Sequence, residues 1–165
     1  NYSVDQIAQV KVEYGNNPDD GFIAYCSEDK KYSITKIDGS KVDFPVDSLA
    51  IKEFISRSKF IAFEAFIKEE LQQHKLDSLL NQPMAARFEV VDRDGNAKSF
   101  RTYLRPNINQ AFDTDGNLYE WDIDRLYGIV NNDSEVVFLQ YYVIDPITLT
   151  INDFNLNNRI TASVE

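Results

Sequence analysis

Glu135–Asp145, EVVFLQYYVID, is the stretch whose reading decides the fold. It is rich in β-branched and aromatic residues and apolar on both alternating sides. Val136, Phe138, Tyr142 and Ile144 fall on one side; Val137, Leu139, Tyr141 and Val143 fall on the other. A strand with one face in water alternates with polar residues, so this pattern predicts a strand covered on both faces. Asn131-Asn132-Asp133-Ser134 before it reads as a turn, and Leu126–Val130 as its hairpin partner. Asp145-Pro146 ends it, because proline brings no N–H to a ladder.

Upstream of that hairpin the pattern changes twice. Gln6–Tyr14, Phe22–Cys26, Lys31–Ile37 and Lys41–Phe44 read as a first antiparallel meander, with Asp38-Gly39 as a hairpin turn. After Pro45 the spacing becomes helical. Asp47 is placed to cap a helix running to about Ser58, and Glu69–Leu80 forms a second, with Leu76, Leu79 and Leu80 at i, i+3 and i+4. Phe60–Ile67 fits a buried strand or a linking segment equally well. β-structure resumes after Pro83 with Ala86–Asp92, Ala97–Leu104 and Leu118–Trp121, and Thr148–Asn152 alternates briefly. The expectation is one α+β domain over residues 1–165, mainly antiparallel, with two helices inserted between two meanders and packed on one sheet face. The last fifteen or so residues read as a tail, with Ile160–Val164 as an edge strand.

With 43% hydrophobic and 13% aromatic residues the composition is globular. A formal net charge of −10 and the absence of a basic cluster argue against nucleic acid and against a basic face for anionic lipid. No apolar run is long enough to span a membrane, so membrane association would come only through an anchor outside this sequence. The start at Asn1 fits a processed chain or one trimmed of a signal or anchor. Cys26 is the sole cysteine and reads as a core residue, because its charged sequence neighbours are acidic.

Tyr32-Ser33-Ile34 near an Asp-Gly turn, Asp47–Ile55 as the following helix, and Phe88-Glu89-Val90-Val91 with Asp94-Gly95 together resemble a bacterial envelope family known only as a domain of unknown function. Asp122–Gly128 followed by Gln140–Asp145 is similar to a closing block of related Bacteroidetes proteins. The resemblance covers about Tyr32–Asp145. It implies an anchored protein of the periplasm or cell surface, and it brings no catalytic residues.

Two loops look at first like calcium sites. Counted from Asp92, an EF-hand frame meets Ala97 where glycine is needed and Tyr103 where glutamate is needed, so that loop is a hairpin turn. Counted from Asp113, it meets Leu118 and Asp124, and flanking helices are missing. His74, the only histidine, lies on a polar helix, and no phosphate loop, nucleophile elbow or zinc-protease motif occurs. No cofactor or metal is therefore expected. The densest charged group beside aromatic residues is Asp122, Asp124 and Arg125, flanked by Tyr119, Trp121 and Tyr127. The structural reading pairs one aspartate with Arg125. The functional reading makes these six a ligand site. Tyr141 and Val143 are the candidates for an interaction face, should nothing in the chain cover them. The leading expectation is a non-enzymatic binding or interaction module of the cell envelope, with a protein or glycan partner. The alternative is a small carbohydrate-active or other hydrolytic enzyme using Asp122 and Asp124.

Overall fold

The computed structural model describes residues 6–59 and 63–158. Eight strands form one antiparallel sheet: β1 (Ile7–Tyr14), β2 (Phe22–Cys26), β3 (Tyr32–Thr35), β4 (Ala65–Phe66), β5 (Ala86–Asp92), β6 (Ala97–Pro106), β7 (Trp121–Val130) and β8 (Glu135–Gln140). Their order across the sheet is β3-β2-β1-β5-β6-β7-β8-β4. The two meanders predicted from the pattern are therefore halves of one sheet. They join where β1 pairs with β5, from Tyr14 opposite Ala86 to Ile7 opposite Asp92. Among the described residues the sheet is accompanied by α1 (Ser48–Ser58), α2 (Glu69–Leu80) and the single turn α3 (Tyr141–Ile144).

α1 forms where the sequence places a cap. The Asp47 carboxylate accepts from the N–H groups of Leu49 and Ala50, which would otherwise lack partners. Ile51, Phe54 and Ile55 then recur at helical spacing and are fully buried against Val10, Val12, Phe22 and Ala24 on the first sheet face. Phe22, Phe54 and Phe154 meet edge-on, with centroids 4.9–5.6 Å apart, and so tie strand, helix and C-terminal segment together.

α2 lies on the opposite face, not beside α1 as the pattern suggested. Its Leu79 and half-buried Leu76 pack with Tyr103, Tyr127, Ile129 and Val136, which point away from the α1 side of their strands. The reason is the period of two. Along β7 and β8, Leu126, Val137 and Leu139 face α1, while Tyr127, Ile129 and Val136 form an equally apolar surface behind them. That second surface exists only over β6–β8, and α2 covers it. Over β1 and β5 the same face carries Lys11, Glu13, Arg87 and Glu89, paired along each strand, and stays in contact with water. Gly128 sits on the α1 side, where a Cβ would come within 2.7 Å of Leu139. Glycine there lets Leu139 lie flat on the neighbouring strand.

The outer edge of β8 is closed by a side chain. β4 supplies only Ala65 and Phe66 as ladder partners. Beyond them the Gln72 carboxamide acts like another strand residue: its Oε1 accepts from Val136 N at 2.8 Å, and its Nε2 donates to the carbonyls of Val136 and Ile67.

β8 itself is shorter than EVVFLQYYVID suggested. It stops at Gln140, and Tyr141–Ile144 turns helically before a 3-10 turn at Asp145–Ile147 that starts with Pro146 in its first positions. Lys41 makes only an isolated bridge to Thr35 in place of a fourth short strand. Ile151–Phe154 is a 3-10 turn with a capping box at Thr150 and Asp153, not an alternating strand. The expected edge strand at Ile160–Val164 lies outside the described residues. No helix of the described residues is long and apolar enough to cross a membrane.

If α2 seals the second face, its two neighbouring leucines differ sharply. Leu79→Ala is expected to cost about 2–4 kcal/mol in urea unfolding, and Leu80→Ala, on the exposed side, less than about 0.5 kcal/mol. Equal effects would mean that α2 does not seal that face. Gln72→Ala, which strands the Val136 N–H and leaves its carbonyl with the Ile67 N–H alone, is expected to cost roughly 1–3 kcal/mol. A loss within error would show that the edge does not need the carboxamide.

Candidate functional site

At one end of the sheet the β6–β7 ladder breaks. Leu104 faces Leu126 and Pro106 faces Trp121, so Arg105 alone stands opposite Asp122-Ile123-Asp124-Arg125. This is an enlarged bulge, four residues against one, and Asp122 holds it. Its side chain is 3% exposed. One carboxylate oxygen accepts from Asp124 N at 2.8 Å and Arg125 N at 2.9 Å. The other accepts a charged hydrogen bond from Arg105 Nη1. The Arg105 guanidinium in turn lies over the rings of Phe138 and Tyr127, 5.3 and 6.0 Å from their centroids.

Arg125 turns outward and grips Glu64 through two hydrogen bonds of 2.8 and 2.9 Å, which fastens the segment before β4 to the bulge. The expected pairing of Arg125 with Asp122 or Asp124 is thus replaced by two separate pairs. Burial pushes the Asp122 carboxyl up, but the two backbone N–H donors and Arg105 outweigh it, and its pKa lies below the usual range.

The bulge also redistributes the aromatic residues. In an unbroken strand Tyr119, Trp121 and Tyr127 would share a face. Instead Tyr127 is buried under α2, against Phe138 and with the Lys75 ammonium 4.8 Å from its ring centroid. Tyr119 and Trp121 stay outside. They line a shallow cleft of about 400 Å³ with Glu120, Asp122, Ile123, Tyr141 and Asp145. Of the residues singled out from sequence, the fold therefore brings together Tyr119, Trp121, Asp122 and Tyr141. Asp124 is exposed and does not line the cleft, and Arg125 is held by Glu64. Tyr141 and Val143 are half-buried against the main core, so they do not form an open face. Tyr142 takes the exposed position, at 74%. Burial raises the Tyr141 phenol above its usual pKa, and the nearby Asp122 and Asp145 carboxylates raise it further.

Beyond the cleft, residues 107–120 form an arm with its own internal hydrogen bonds. The Asn107 side chain donates to the carbonyls of Ala111 and Tyr119 and accepts from Ala111 N. Gln110 is held at φ +52, a left-handed conformation uncommon outside glycine and asparagine. Phe112 bridges Leu118 across a tight turn. The Asp113 carboxylate closes that turn on the N–H groups of Asp115 and Asn117 and on the Asn117 carboxamide, with Gly116 at φ +82. Asp92 repeats the arrangement on Asp94 and Asn96. Both resemblances to a calcium loop are therefore turn closures whose carboxylates are already occupied, and no cluster suited to a metal occurs among the described residues. With its polar groups satisfied internally, the arm holds Ile108, Phe112 and Leu118 out into water, each more than half exposed.

Nothing in the local pattern marks Arg105, Glu64 or Asp145, each 17 residues or more from Asp122, and Glu120 reads only as part of the Leu118–Trp121 strand. Nor does that pattern show that Arg93, 67 residues away, brings its guanidinium to the Cys26 sulfur at 3.5 Å. The same group binds the Cys26 and Ser27 carbonyls and staples two turns together.

Comparison with family models, with curated proteins and with solved structures finds no match to this chain.

Hydrolysis by paired carboxylates needs both to open into the cleft. Asp122 is instead consumed by a backbone turn and Arg105, and Asp124 lies outside the cleft lining, so this arrangement is not that of an acid and a nucleophile. Asp122→Asn keeps an acceptor for the two N–H groups but removes the charge facing Arg105. It is expected to cost about 3 kcal/mol or more at neutral pH. Because the folded pKa is depressed, the carboxylate's stabilisation is complete above about pH 5 and is lost as the pH falls through the folded value, below about pH 4. The stability gap between wild type and Asp122→Asn, measured by denaturant unfolding across that range, should be flat above and shrink below. A gap that stays constant down to pH 2.5 or so would remove Asp122 as the group responsible.

Proposed function

We propose that this domain is a non-enzymatic interaction module of the bacterial cell envelope, and that it engages a protein partner through the arm and the adjoining cleft. The observation that supports this is the concentration of exposed apolar side chains in one short stretch. Ile108, Phe112, Leu118, Tyr119, Trp121 and Ile123 are all exposed and are presented by a bulge and a turn whose backbone bonds are made internally. Contiguous apolar exposure of this kind marks interaction surfaces, and holding the arm in one conformation lowers the entropy cost of association. The envelope setting rests on the resemblance of the Tyr32–Asp145 blocks. A glycan is the weaker reading, because Asp122, the buried carboxylate of the cleft, already accepts three hydrogen bonds and the residue as a whole is 5% exposed.

Trp121 is the only tryptophan and is 40% exposed in the cleft, so its emission reports occupancy directly. Immobilised domain is incubated with a solubilised Bacteroidetes envelope fraction, chemically cross-linked and mapped by mass spectrometry. Cross-links to a retained protein should concentrate around the arm, and Phe112→Ser/Leu118→Ser should remove them while unfolding stability changes by less than about 1 kcal/mol. Cross-links that survive this double substitution would place the interaction elsewhere. A blue shift of Trp121 emission with soluble envelope oligosaccharides would favour the glycan instead.

A further inference from the structure

We infer that the partner surface recognised by the arm is a cationic amphipathic polypeptide segment, apolar side chains flanked by Lys or Arg; this rests on the arm being the interaction face. From Asn107 to Asp124 the chain contains no Lys, Arg or His, while Asp113, Asp115, Glu120, Asp122 and Asp124 are acidic. Asp122 is paired with Arg105, and Asp124 acts electrostatically on the neighbouring Arg125; Asp113, Asp115 and Glu120 have no ion pair among the described residues. Glu120 and Asp145 line the cleft together with Trp121 and Tyr141 and are exposed. The exposed apolar groups thus share their stretch with acidic side chains, and the flanking cations Arg105 and Arg125 are already held by Asp122 and Glu64.

That negative charge selects among occupants. A second copy of the chain would bring another −10 against the first and set acidic arm against acidic arm. Anionic lipid and nucleic acid are repelled for the same reason. A neutral apolar partner would cover the side chains but leave the rim carboxylates without counter-charge. A cationic segment satisfies both: its apolar residues pack on Phe112, Leu118 and Ile123, and its ammonium or guanidinium groups meet Glu120 and Asp145 and can also lie over the faces of Trp121 and Tyr119.

The test titrates the domain with three synthetic peptides of one length and pattern, Lys/Leu, Glu/Leu and Ser/Leu, and follows Trp121 emission. The Lys/Leu peptide is expected to bind, with affinity falling about ten-fold or more between roughly 50 and 300 mM salt. Glu120→Gln/Asp145→Asn should weaken it about five-fold or more and flatten the salt dependence. Glu28→Gln/Asp29→Asn, an exposed acidic pair in the β2–β3 turn, should leave it unchanged. Equal loss in the two double variants would reduce the effect to net charge and overturn the inference. If Ser/Leu binds as tightly as Lys/Leu, and Phe112→Ser/Leu118→Ser abolishes both, the arm remains the interaction face but its cation preference is wrong. If no peptide shifts Trp121 emission, the inference fails, and the cross-linking experiment separately decides whether the arm is an interface at all.

Discussion

A buried carboxylate sets the shape of the functional end of this protein. Asp122 accepts two backbone N–H groups and one guanidinium, and those three bonds hold four residues of β7 opposite a single residue of β6. Several features follow from that misfit. β8 keeps a ladder partner only as far as Gln140 opposite Arg125, and past that point the chain turns into α3. The parity of side chains along β7 is broken, so Trp121 is exposed while Tyr127 is buried. Arg125 is freed to hold Glu64. A buried ion pair of this kind adds little net stability over an apolar substitute, but losing one partner is costly, which suits a device that enforces one geometry.

The sheet solves its two-face problem unequally. The first face is apolar from β2 to β8 and receives α1, α3 and the C-terminal turns. The second face is apolar only over β6–β8, where α2 and Ile67 lie, and becomes a row of paired charges toward β1. Covering half a face leaves the β8 edge near α2, and Gln72 on that helix closes the edge. Helix placement and edge protection are thus one arrangement, and it is sequestered from the arm. Changes in the arm need not disturb either core cluster, because none of its side chains enters one.

Much of the fold was legible in the chain. The Asp47 cap, the helical spacing of Ile51, Phe54 and Ile55, the boundaries of Phe22–Cys26 and Ala86–Asp92, and the Asp-Gly turns all follow from local preferences that the fold does not override. The double-sided apolar pattern of Val136–Leu139 correctly demanded two covers. It could not say which helix supplied each, because α1 and α2 both offer leucine or isoleucine at helical spacing and nothing local distinguishes one sheet face from the other. The candidate site was half legible: Tyr119, Trp121, Asp122 and Tyr141 meet, and Asp124, Arg125 and Tyr127 go elsewhere.

From the sequence by itself came the class of the domain, its two long helices and most of its strands, its acidic balance and the clustering of aromatic residues near Asp122. These depend on periodicity, turn chemistry and composition, which are properties of neighbours in the chain. Only the tertiary structure decided that Arg105 and not Arg125 neutralises Asp122, that α2 crosses to the second face, and that the last residues of EVVFLQYYVID leave the sheet. Each of those depends on which groups meet across 17 residues or more, where the cost of burying a charge or an unpaired N–H is settled by whatever partner the fold delivers.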